Sequence, residues 1–249
     1  MFSFFQLVLE LILKIIYIIS GGNMKKILFL FDVNGTLLKK KKKNSIAYSE
    51  TLKDMFNINK PLENIETTAR SDLKVFKEFL NNHEISYTST LYNEFLLHYE
   101  KILQYYKNQK IWQRNKGSKK FIKYIIKNKM DLSLFTGNLK IGAKYKLQSV
   151  NLWKYFETGG FGEDGMTRNE IAENTVSKAQ NYYNKTFDNI FVIGDTEKDI
   201  EAAKYINSKI ISIANNKKDY TILKKGKPDY LVNDFEEILE IIKKDWFEE

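Results

Sequence analysis

The sequence contains no cysteine and only two histidines in 249 residues. Without cysteine the chain cannot form disulfides, bind a metal through thiolates or use a cysteine nucleophile, and this fits a reducing compartment. His83 and His98 lie in a segment with helical periodicity and have no Cys, His or Asp partner at a metal-ligand spacing. A zinc site and a Ser/His/Asp triad are therefore disfavoured, and both histidines are interpreted as packing or surface residues.

Acidic residues are outnumbered, with 31 Asp and Glu against 40 Lys and Arg, which gives a formal net charge of +9. This excess favours anionic partners, which include phosphorylated small molecules, nucleic acids and membrane surfaces. Residues 101–130 hold ten Lys or Arg and no Asp or Glu, and residues 39–43 are all lysine. We interpret these segments as solvated helix faces and a linker, so no obligate nucleic-acid partner is expected. Nucleic-acid binding remains the alternative from another functional class.

Long apolar runs are absent except at the N-terminus, where residues 1–20 are almost long enough to span a bilayer. Gln6, Glu10 and Lys14 would form a polar stripe on a helix there, and no basic region or cleavage signal indicates a secretory peptide. A spanning helix would leave the following residues on the cytoplasmic side, next to Lys25 and Lys26. The interpretation we favour is a cytoplasmic protein that starts at Met24, with membrane association through residues 1–23 as the alternative.

Five short apolar runs read as strands, at residues 27–31, 132–135, 190–193, 210–213 and 230–232. Segments with helical periodicity follow them, for example residues 197–205 and 235–242. Alternating strands and helices predict an α/β fold with a parallel sheet covered on both faces. Ligands bind at the carboxyl ends of the strands in such sheets, where Asp32, Thr136 and Asp195 stand in this sequence.

About a hundred residues separate the first two strands, far more than the ~10 to 12 that a simple crossover needs. Residues 45–119 contain three segments with apolar residues at helical spacing, so they predict an inserted all-helical cap over the site. Residues 24–44 and 120–249 then form the core, and residues 1–23 are an N-terminal extension. The hinges are expected at residues 39–44 and 114–118.

Four polar pieces stand in order along the core: "FDVNGTL" at 31–37, "FTGN" at 135–138, Lys146, and "IGDTEKD" at 193–199. A carboxylate at a strand end, Asp32, can attack phosphorus and form an aspartyl phosphate. The Thr136 hydroxyl and the amides of Gly137 and Asn138 can hold phosphate oxygens. Lys146 can neutralise charge between the nucleophile and the phosphate.

Asp195 and Asp199 add hard oxygen ligands at a third strand end. Together with Asp32 they suit an octahedral Mg²⁺ that is shared with a substrate phosphate. Each piece alone is a weak signal, but four of them in order at predicted strand ends form a specific pattern.

These motifs resemble those of the haloacid dehalogenase superfamily, in particular the phosphoglycolate-phosphatase-like hydrolases with a helical cap. The resemblance covers the chain from Met24 onward and implies a Rossmann-like, doubly wound parallel sheet and a Mg²⁺-dependent phosphatase acting on a small phosphorylated metabolite. It selects Lys146 rather than Lys144 as the family lysine, because that lysine precedes Leu and a short helix. It also presents Arg70, within "TTARSD", as a substrate-contacting residue; a surface salt bridge is the alternative for this arginine.

The chain departs from the family pattern at Asn34, where the resemblance implies an aspartate that protonates the leaving oxygen and later activates water. An amide cannot transfer that proton, whereas the backbone carbonyl that the family offers to the metal does not depend on the side chain. General acid or base assistance is worth about 10² to 10⁴ in rate. Turnover of alkyl phosphates is therefore expected to suffer, and substrates with good leaving groups are expected to be spared.

Three hypotheses follow for Asn34. The protein is a slow phosphatase with its nucleophile and metal site intact, or a phosphate-binding regulatory protein without useful turnover, or an enzyme whose Asn34 deamidates to Asp at the Asn-Gly step. A phosphomutase is disfavoured because it needs the missing aspartate, and a dehalogenase because the "GDTEKD" metal motif is present. A phosphonatase needs a particular cap lysine, and none of the many is singled out. The sequence leaves the substrate and the oligomeric state open.

Overall fold

The computed structural model of the chain describes residues 25–247, for Lys42 and residues 243–247 without their side chains. The expectations for residues 1–23 lie outside this range. Within it, no helix has both the length and the apolar character that crossing a membrane requires.

The core is a six-stranded parallel sheet with the strand order β3-β2-β1-β4-β5-β6. All five strands expected from the apolar runs are present, with ends shifted by at most one residue. The additional strand, β3, is two glycines and was not foreseen. The strands are β1 (Ile27–Phe31), β2 (Asp131–Phe135), β3 (Gly159–Gly160), β4 (Asn189–Gly194), β5 (Lys209–Ile213) and β6 (Tyr230–Val232).

Helices cover both faces of the sheet, which confirms the expected α/β class. Along β1, Phe29 and Phe31 pack on one face, and Leu28 and Leu30 on the other. This alternation follows from the two-residue period of a strand. The helices of the described residues are α1 (Ile46–Phe56), α2 (Asp72–Asn82), α3 (Ser89–Asn108), α4 (Ser118–Lys127), α5 (Lys140–Ser149), α6 (Arg168–Tyr183), α7 (Glu197–Tyr205), α8 (Lys217–Lys225) and α9 (Phe235–Phe247).

The two faces have different partners. The face with Phe29 and Phe31 packs against α4 and α9, and the same apolar cluster continues into α1, α2, α3 and α5. The face with Leu28 and Leu30 packs against α6, α7 and α8. The chain adds β2 and β3 on one side of β1 and β4 to β6 on the other, so a topological switch point lies at the carboxyl ends of β1 and β4.

The insertion between β1 and β2 begins with α1, α2 and α3, as the apolar spacing predicts. Phe95, Tyr99 and Leu103 of α3 are buried along the expected stripe. The chain that enters the insertion and the chain that leaves it lie side by side, because Lys39 N–H donates to the Gln113 carbonyl at 2.8 Å and Asn115 N–H to the Leu37 carbonyl at 2.9 Å. The boundaries of a separate cap at residues 45 and 119 remain a prediction.

Candidate active site

The polar residues predicted at three strand ends lie on three adjacent strands. Asp32 follows β1, Thr136 follows β2 and Asp195 follows β4, and β1 is hydrogen-bonded to both neighbours. All three side chains are buried. Asp32 N–H donates to the Ile193 carbonyl of β4 at 3.0 Å, so the backbone keeps the strand geometry up to this residue.

The loop after Asp32 needs glycine at position 35. Gly35 has φ of +89°, and a Cβ there would lie 2.2 Å from Asp195 Oδ2. Both the left-handed backbone and the close approach exclude a side chain. The Gly35 carbonyl accepts hydrogen bonds from Asn115 Nδ2 at 3.0 Å and Asn215 Nδ2 at 2.8 Å, which fixes the loop between the insertion and the core.

Arg168 makes the direct ion pair with the predicted nucleophile. Its Nη2 donates to Asp32 Oδ1 at 2.7 Å and to Asp199 Oδ1 at 2.6 Å, and its Nε donates to Asp199 Oδ1 at 2.9 Å. The guanidinium also stacks over the Phe135 ring, 3.9 Å from the centroid. Burial raises the pKa of Asp32 to about 6, although Arg168 opposes the shift.

Asp199 is fully engaged in hydrogen bonds. Its Oδ1 accepts from Arg168, and its Oδ2 accepts from the backbone N–H of Asp195 and Thr196 and from Thr196 Oγ1. Thr196 and Asp199 form a capping box at the start of α7. These contacts favour a role for Asp199 in orienting this loop, and its role as a metal ligand stays a prediction.

Asp195 has one partnered and one unpartnered oxygen. Lys40 Nζ lies 3.3 Å from Asp195 Oδ2 and 3.3 Å from Asp219 Oδ2. Asp195 Oδ1 is buried and has no hydrogen-bond partner among the described residues. Burial, with the charges of Asp32 and Asp199 nearby, raises the pKa of Asp195 well above its usual value. The structure therefore leaves a buried carboxylate oxygen that a cation would satisfy.

The unpartnered oxygen of Asp195 indicates whether the residues of this site suit Mg²⁺. Asp195 Oδ1 and the carboxylate of Asp32 offer hard oxygens at adjacent strand ends, which is the donor type that Mg²⁺ prefers. No group of three or more His, Asp or Glu side chains arranged to hold a metal is found in residues 25–247. The sequence predicts Asp32, Asp195, Asp199 and the backbone carbonyl of Asn34 as ligands. Because Asp199 is engaged in the hydrogen bonds described above, the donor set that remains is Asp32, Asp195 and the Asn34 carbonyl, and Mg²⁺ usually keeps several waters. The residues present fit the ion.

The loop after β2 brings Thr136, Asn138 and Lys146 together with Asn34. Asn138 Nδ2 donates to Thr136 Oγ1 at 2.7 Å, and Asn138 Oδ1 accepts from Lys146 Nζ and from Asn34 Nδ2, the latter at 3.1 Å. Lys146 is buried, and burial lowers its pKa to about 8 against the opposing effects of Asp72 and Asp32. The lysine chosen from the sequence therefore reaches the site, but it bonds with Asn138.

The residues at the start of α2 are docked on this loop and on the loop after β3. Asp72 N–H donates to the Gly137 carbonyl at 2.7 Å, Leu139 N–H donates to Asp72 Oδ2 at 3.0 Å, and Ser71 Oγ donates to the Gly162 carbonyl at 2.5 Å. A Cβ on Gly137 would lie 2.1 Å from the Arg70 carbonyl oxygen, so glycine is required for this approach. The insertion therefore contacts the predicted phosphate-binding loop directly.

Arg70 lies in this docked segment, and its guanidinium bonds with residues of the insertion. Nη1 donates to the Glu66 carbonyl at 2.8 Å and Nη2 donates to the Glu78 carboxylate. The hydrogen bond from Arg70 lowers the pKa of Glu78. A substrate would have to compete with Glu78 for this side chain, and the contact corresponds to the salt-bridge alternative that the sequence left open.

Arg168, Asp72 and Lys40 are the residues of this site that the sequence reasoning did not assign. Arg168 is the first residue of α6, the first α-helix after β3 along the chain. Because β3 pairs with β2 at the edge of the sheet, the chain that follows β3 brings Arg168 into the site. A two-glycine strand gives no apolar signal, so the position of Arg168 could not be placed from the pattern. Asp72 was visible only as part of "TTARSD", and Lys40 only as one of five lysines.

Comparison with known proteins places these features in a family. Residues 29–213 match the family described as haloacid dehalogenase-like hydrolase. This match confirms the resemblance that the motifs indicate. No curated protein sequence matches the chain.

Solved structures share the fold over most of their length at low sequence identity. A hydrolase from Pseudomonas syringae has a TM-score of 0.65 at 17% identity, with 89% of this chain and 99% of that one covered. The phosphatase of Thermococcus onnurineus has a TM-score of 0.60 at 18% identity, with 88% and 98% covered. CbbY of Rhodobacter sphaeroides, solved as a variant in complex with xylulose 1,5-bisphosphate, has a TM-score of 0.64 at 14% identity, with 85% and 95% covered. At such identities the likeness concerns the fold.

Proposed function

We propose that this chain, which belongs to the haloacid dehalogenase-like hydrolase family, is a phosphatase that removes the phosphoryl group of a small phosphorylated metabolite through an aspartyl phosphate on Asp32. The observation that carries this proposal is the buried carboxylate of Asp32 at the switch point of the sheet, opposite the Thr136 hydroxyl loop and held by Arg168. Strand ends at a switch point are where open α/β sheets bind their ligands.

Each residue of the site has a separate role in the proposed reaction. Asp32 Oδ2 is free of the Arg168 contact, which uses Oδ1, and attacks the phosphorus. The Thr136 hydroxyl, the amides of Gly137 and Asn138, and Lys146 bind the phosphoryl oxygens. Arg168 keeps Asp32 ionised and oriented, because a buried carboxylate without a cation would take up a proton.

Mg²⁺ is the cofactor we assign to the Asp32, Asn34 carbonyl and Asp195 set, with Asp199 holding the loop in place. When bound, the ion supplies positive charge against the non-bridging phosphoryl oxygens and so lowers the repulsion between two anions. Asp195 Oδ1, which has no partner among the described residues, supports this assignment.

The test is Mg²⁺-dependent phosphate release from a panel of phosphorylated metabolites by the native chain, Asp32→Asn and Asn34→Asp. Asp32→Asn keeps an oxygen that can accept from Arg168 but removes the nucleophile, so release is expected to vanish. Asn34→Asp restores a carboxyl group and is expected to raise turnover of alkyl phosphates by about tenfold or more. Phosphate release that survives in Asp32→Asn would refute an Asp32 nucleophile.

A phosphate-binding regulatory protein is the second candidate, favoured by the amide at Asn34, which cannot move a proton. Its distinguishing result is phosphate-analogue binding by the native chain without any release that depends on Asp32. Nucleic-acid binding through the exposed lysines of α4 is a third candidate, and it predicts affinity that falls steeply with salt.

A further inference from the structure

The amide of Asn34 has a fixed orientation. Asn138 is held by its own Nδ2, which donates to Thr136 Oγ1 at 2.7 Å, and its Oδ1 receives Lys146 Nζ. The group at position 34 that faces Asn138 Oδ1 must therefore be a donor, and Asn34 Nδ2 fills that role at 3.1 Å. Asn34 Oδ1 then points away from Asn138, and it is buried with no partner among the described residues.

This orientation commits one of the two N–H groups of Asn34 to Asn138 and leaves the residue without an acidic proton. Its two N–H bonds belong to the nitrogen that faces Asn138, and the opposite end of the amide is an acceptor. Asn34 can accept a hydrogen bond from a water molecule and can donate one through its second N–H, but an amide cannot transfer a proton to a departing oxygen. The arrangement is built around an amide at this position.

The neighbouring side chains do not replace the missing carboxyl group. Asn34 bonds with Asn138, which in turn bonds with Thr136 and Lys146, and none of these three is a carboxylic acid. Asp72 is the nearest candidate from the insertion, but its Oδ2 accepts from Leu139 N–H and its charge faces Lys146. The acidic protons on this side of the site belong to the buried ammonium group of Lys146, which the proposed function assigns to the phosphoryl oxygens and which the Lys146→Met variant below tests.

We propose, building on the phosphatase function above, that the site selects phosphoryl groups carried by an oxygen that departs as a stable anion, namely a phenol, enol or carboxylate oxygen. Asp32 forms a bond to phosphorus, the bond from phosphorus to that oxygen breaks, and the electron pair leaves with the oxygen, so no proton is needed. Water then attacks the aspartyl phosphate, the bond from phosphorus to Asp32 breaks, and dihydrogen phosphate leaves with both protons of the water.

The chemistry of leaving groups explains why this restriction is severe. A carboxylate is the conjugate base of an acid with a pKa of about 4, and a phenol has a pKa of about 10. An alkyl alcohol, which resembles bulk water in acidity, is a far weaker acid than either. Without a carboxyl group at position 34 to supply the proton, and with Lys146 bound to the phosphoryl oxygens, an alkoxide departs unprotonated, whereas a carboxylate departs in its ordinary state.

The test is a series of aryl phosphates of graded phenol acidity, assayed with the native chain, Asn34→Asp, Lys146→Met and Asp72→Asn, after peptide mass has shown Asn at position 34. Acetyl phosphate and glycerol 3-phosphate extend the range of leaving-group acidity in both directions. Assays with acetyl phosphate also distinguish a preference for acyl phosphates from one for aryl phosphates. Asp32→Asn provides the background rate, because acetyl phosphate also hydrolyses in water. The shape of the leaving group is nearly constant across the aryl series. Differences in rate therefore report the ease with which the leaving group departs, rather than how well it binds in the site.

We expect kcat/KM of the native chain to fall steeply as the pKa of the leaving phenol rises. In Asn34→Asp, the slope of log kcat/KM against that pKa is expected to be shallower. The ratio of kcat/KM for acetyl phosphate to that for glycerol 3-phosphate is expected to drop by about tenfold or more in that variant, in line with the gain expected for alkyl phosphates. A shallow slope in the native chain overturns the proposal. A shallow slope that becomes steep in Lys146→Met or Asp72→Asn would also overturn it, because that residue then supplies the proton.

The two proposals fail in different ways. If Asp32→Asn abolishes release from acetyl phosphate and glycerol 3-phosphate alike, and the native chain hydrolyses both equally well, the phosphatase function stands and the selectivity falls. If no substrate yields phosphate above the Asp32→Asn background, the phosphatase function falls, and the selectivity falls with it.

Discussion

At the scale of single residues, Arg168 determines the electrostatics of the site. Its guanidinium is buried between Asp32 and Asp199 and bonds with both. Removing one member of such a cluster leaves carboxylates that are buried and unpaired, which is more costly than losing an exposed salt bridge.

Arg168→Met is therefore expected to lower the free energy of unfolding of the metal-free protein by about 3 to 5 kcal/mol. Arg168→Lys keeps the charge but cannot reach both carboxylates through a fork, so it should lie between the native chain and Arg168→Met. Urea denaturation in the presence of a chelator measures all three. A loss below about 1 kcal/mol in Arg168→Met, the value of an exposed pair, would contradict this account.

Asp72 gives a pH dependence of stability. Burial raises its pKa from 3.8 to about 6 in the folded chain, while Lys146 and the Leu139 N–H oppose the shift. A raised acid pKa means that the folded state binds the proton more tightly. The stabilising contribution is complete below the unfolded value of 3.8 and is lost as the pH rises through about 6.

The free energy of unfolding of the native chain is thus expected to fall by about 3 kcal/mol, relative to that of Asp72→Asn, as the pH rises from about 4 to 7. The side-chain amide in Asp72→Asn can still accept from Leu139 N–H, so this variant removes the titration and keeps the hydrogen bond. Asp54→Asn, at an exposed position on α1, is the matched control. Equal pH profiles for the native chain and Asp72→Asn would rule out the titration of Asp72 as the cause.

At the scale of elements, strands with apolar side chains were predictable and the strand without them was not. β1 and β6 have the bounds read from the sequence, because their residues alternate or run apolar between polar loops. β3 consists of Gly159 and Gly160, packed so closely that a Cβ on Gly160 would lie 1.9 Å from Thr175 Oγ1. Its sequence reflects close packing, which no periodicity reveals, and the position of Arg168 depends on it.

The site was predictable as far as it consists of strand ends. Asp32, Thr136 and Asp195 could be assigned because each follows an apolar run, and they lie on adjacent strands as expected. Roles that depend on long-range contacts could not be read in this way. Lys146 and Arg168 are both cations near the nucleophile, and only the fold shows that Arg168 makes the ion pair with Asp32.

The contact of α2 with the loop after β2 can be tested through Gly137. In Gly137→Ala the new methyl group would meet the Arg70 carbonyl, which is backbone and cannot rotate away. We expect the Asp72 N–H, which donates to the Gly137 carbonyl, to exchange with solvent at least about tenfold faster in hydrogen-exchange mass spectrometry.

Gly226→Ala is the control for that experiment. Its φ is −70°, and the nearest atom to its Cβ is the terminal methyl of Ile200, which can move. Exchange at Asp72 should be unchanged in this variant. Unchanged exchange in Gly137→Ala as well would show that the close approach does not hold the segment in place.

At the scale of the whole molecule, the net charge of +9 surrounds a site that is proposed to bind anions. A uniform positive field raises the local concentration of an anionic substrate, and salt screens it. The exposed lysines of α4 contribute to that field from outside the site. They include Lys120, Lys123 and Lys127.

We expect kcat/KM for an aryl phosphate to fall by about threefold or more between about 20 and 200 mM KCl. Replacing Lys120, Lys123 and Lys127 together by Gln should reduce that dependence and leave the rate at high salt unchanged. A dependence that is identical in both proteins would show that only charges within the site matter.

The contact between the insertion and the core bears on whether related chains can exchange their insertions. The hydrogen bonds at the start of α2 use main-chain groups of the core, namely the carbonyls of Gly137 and Gly162 and the Leu139 N–H. The complementary groups come from Ser71 and Asp72. A segment with that Ser-Asp pair can form these hydrogen bonds with any relative that has the same backbone in the two loops, whatever its side chains there. Chimaeras joined at residues 39 and 113, where the two connections pair, should keep the docking intact.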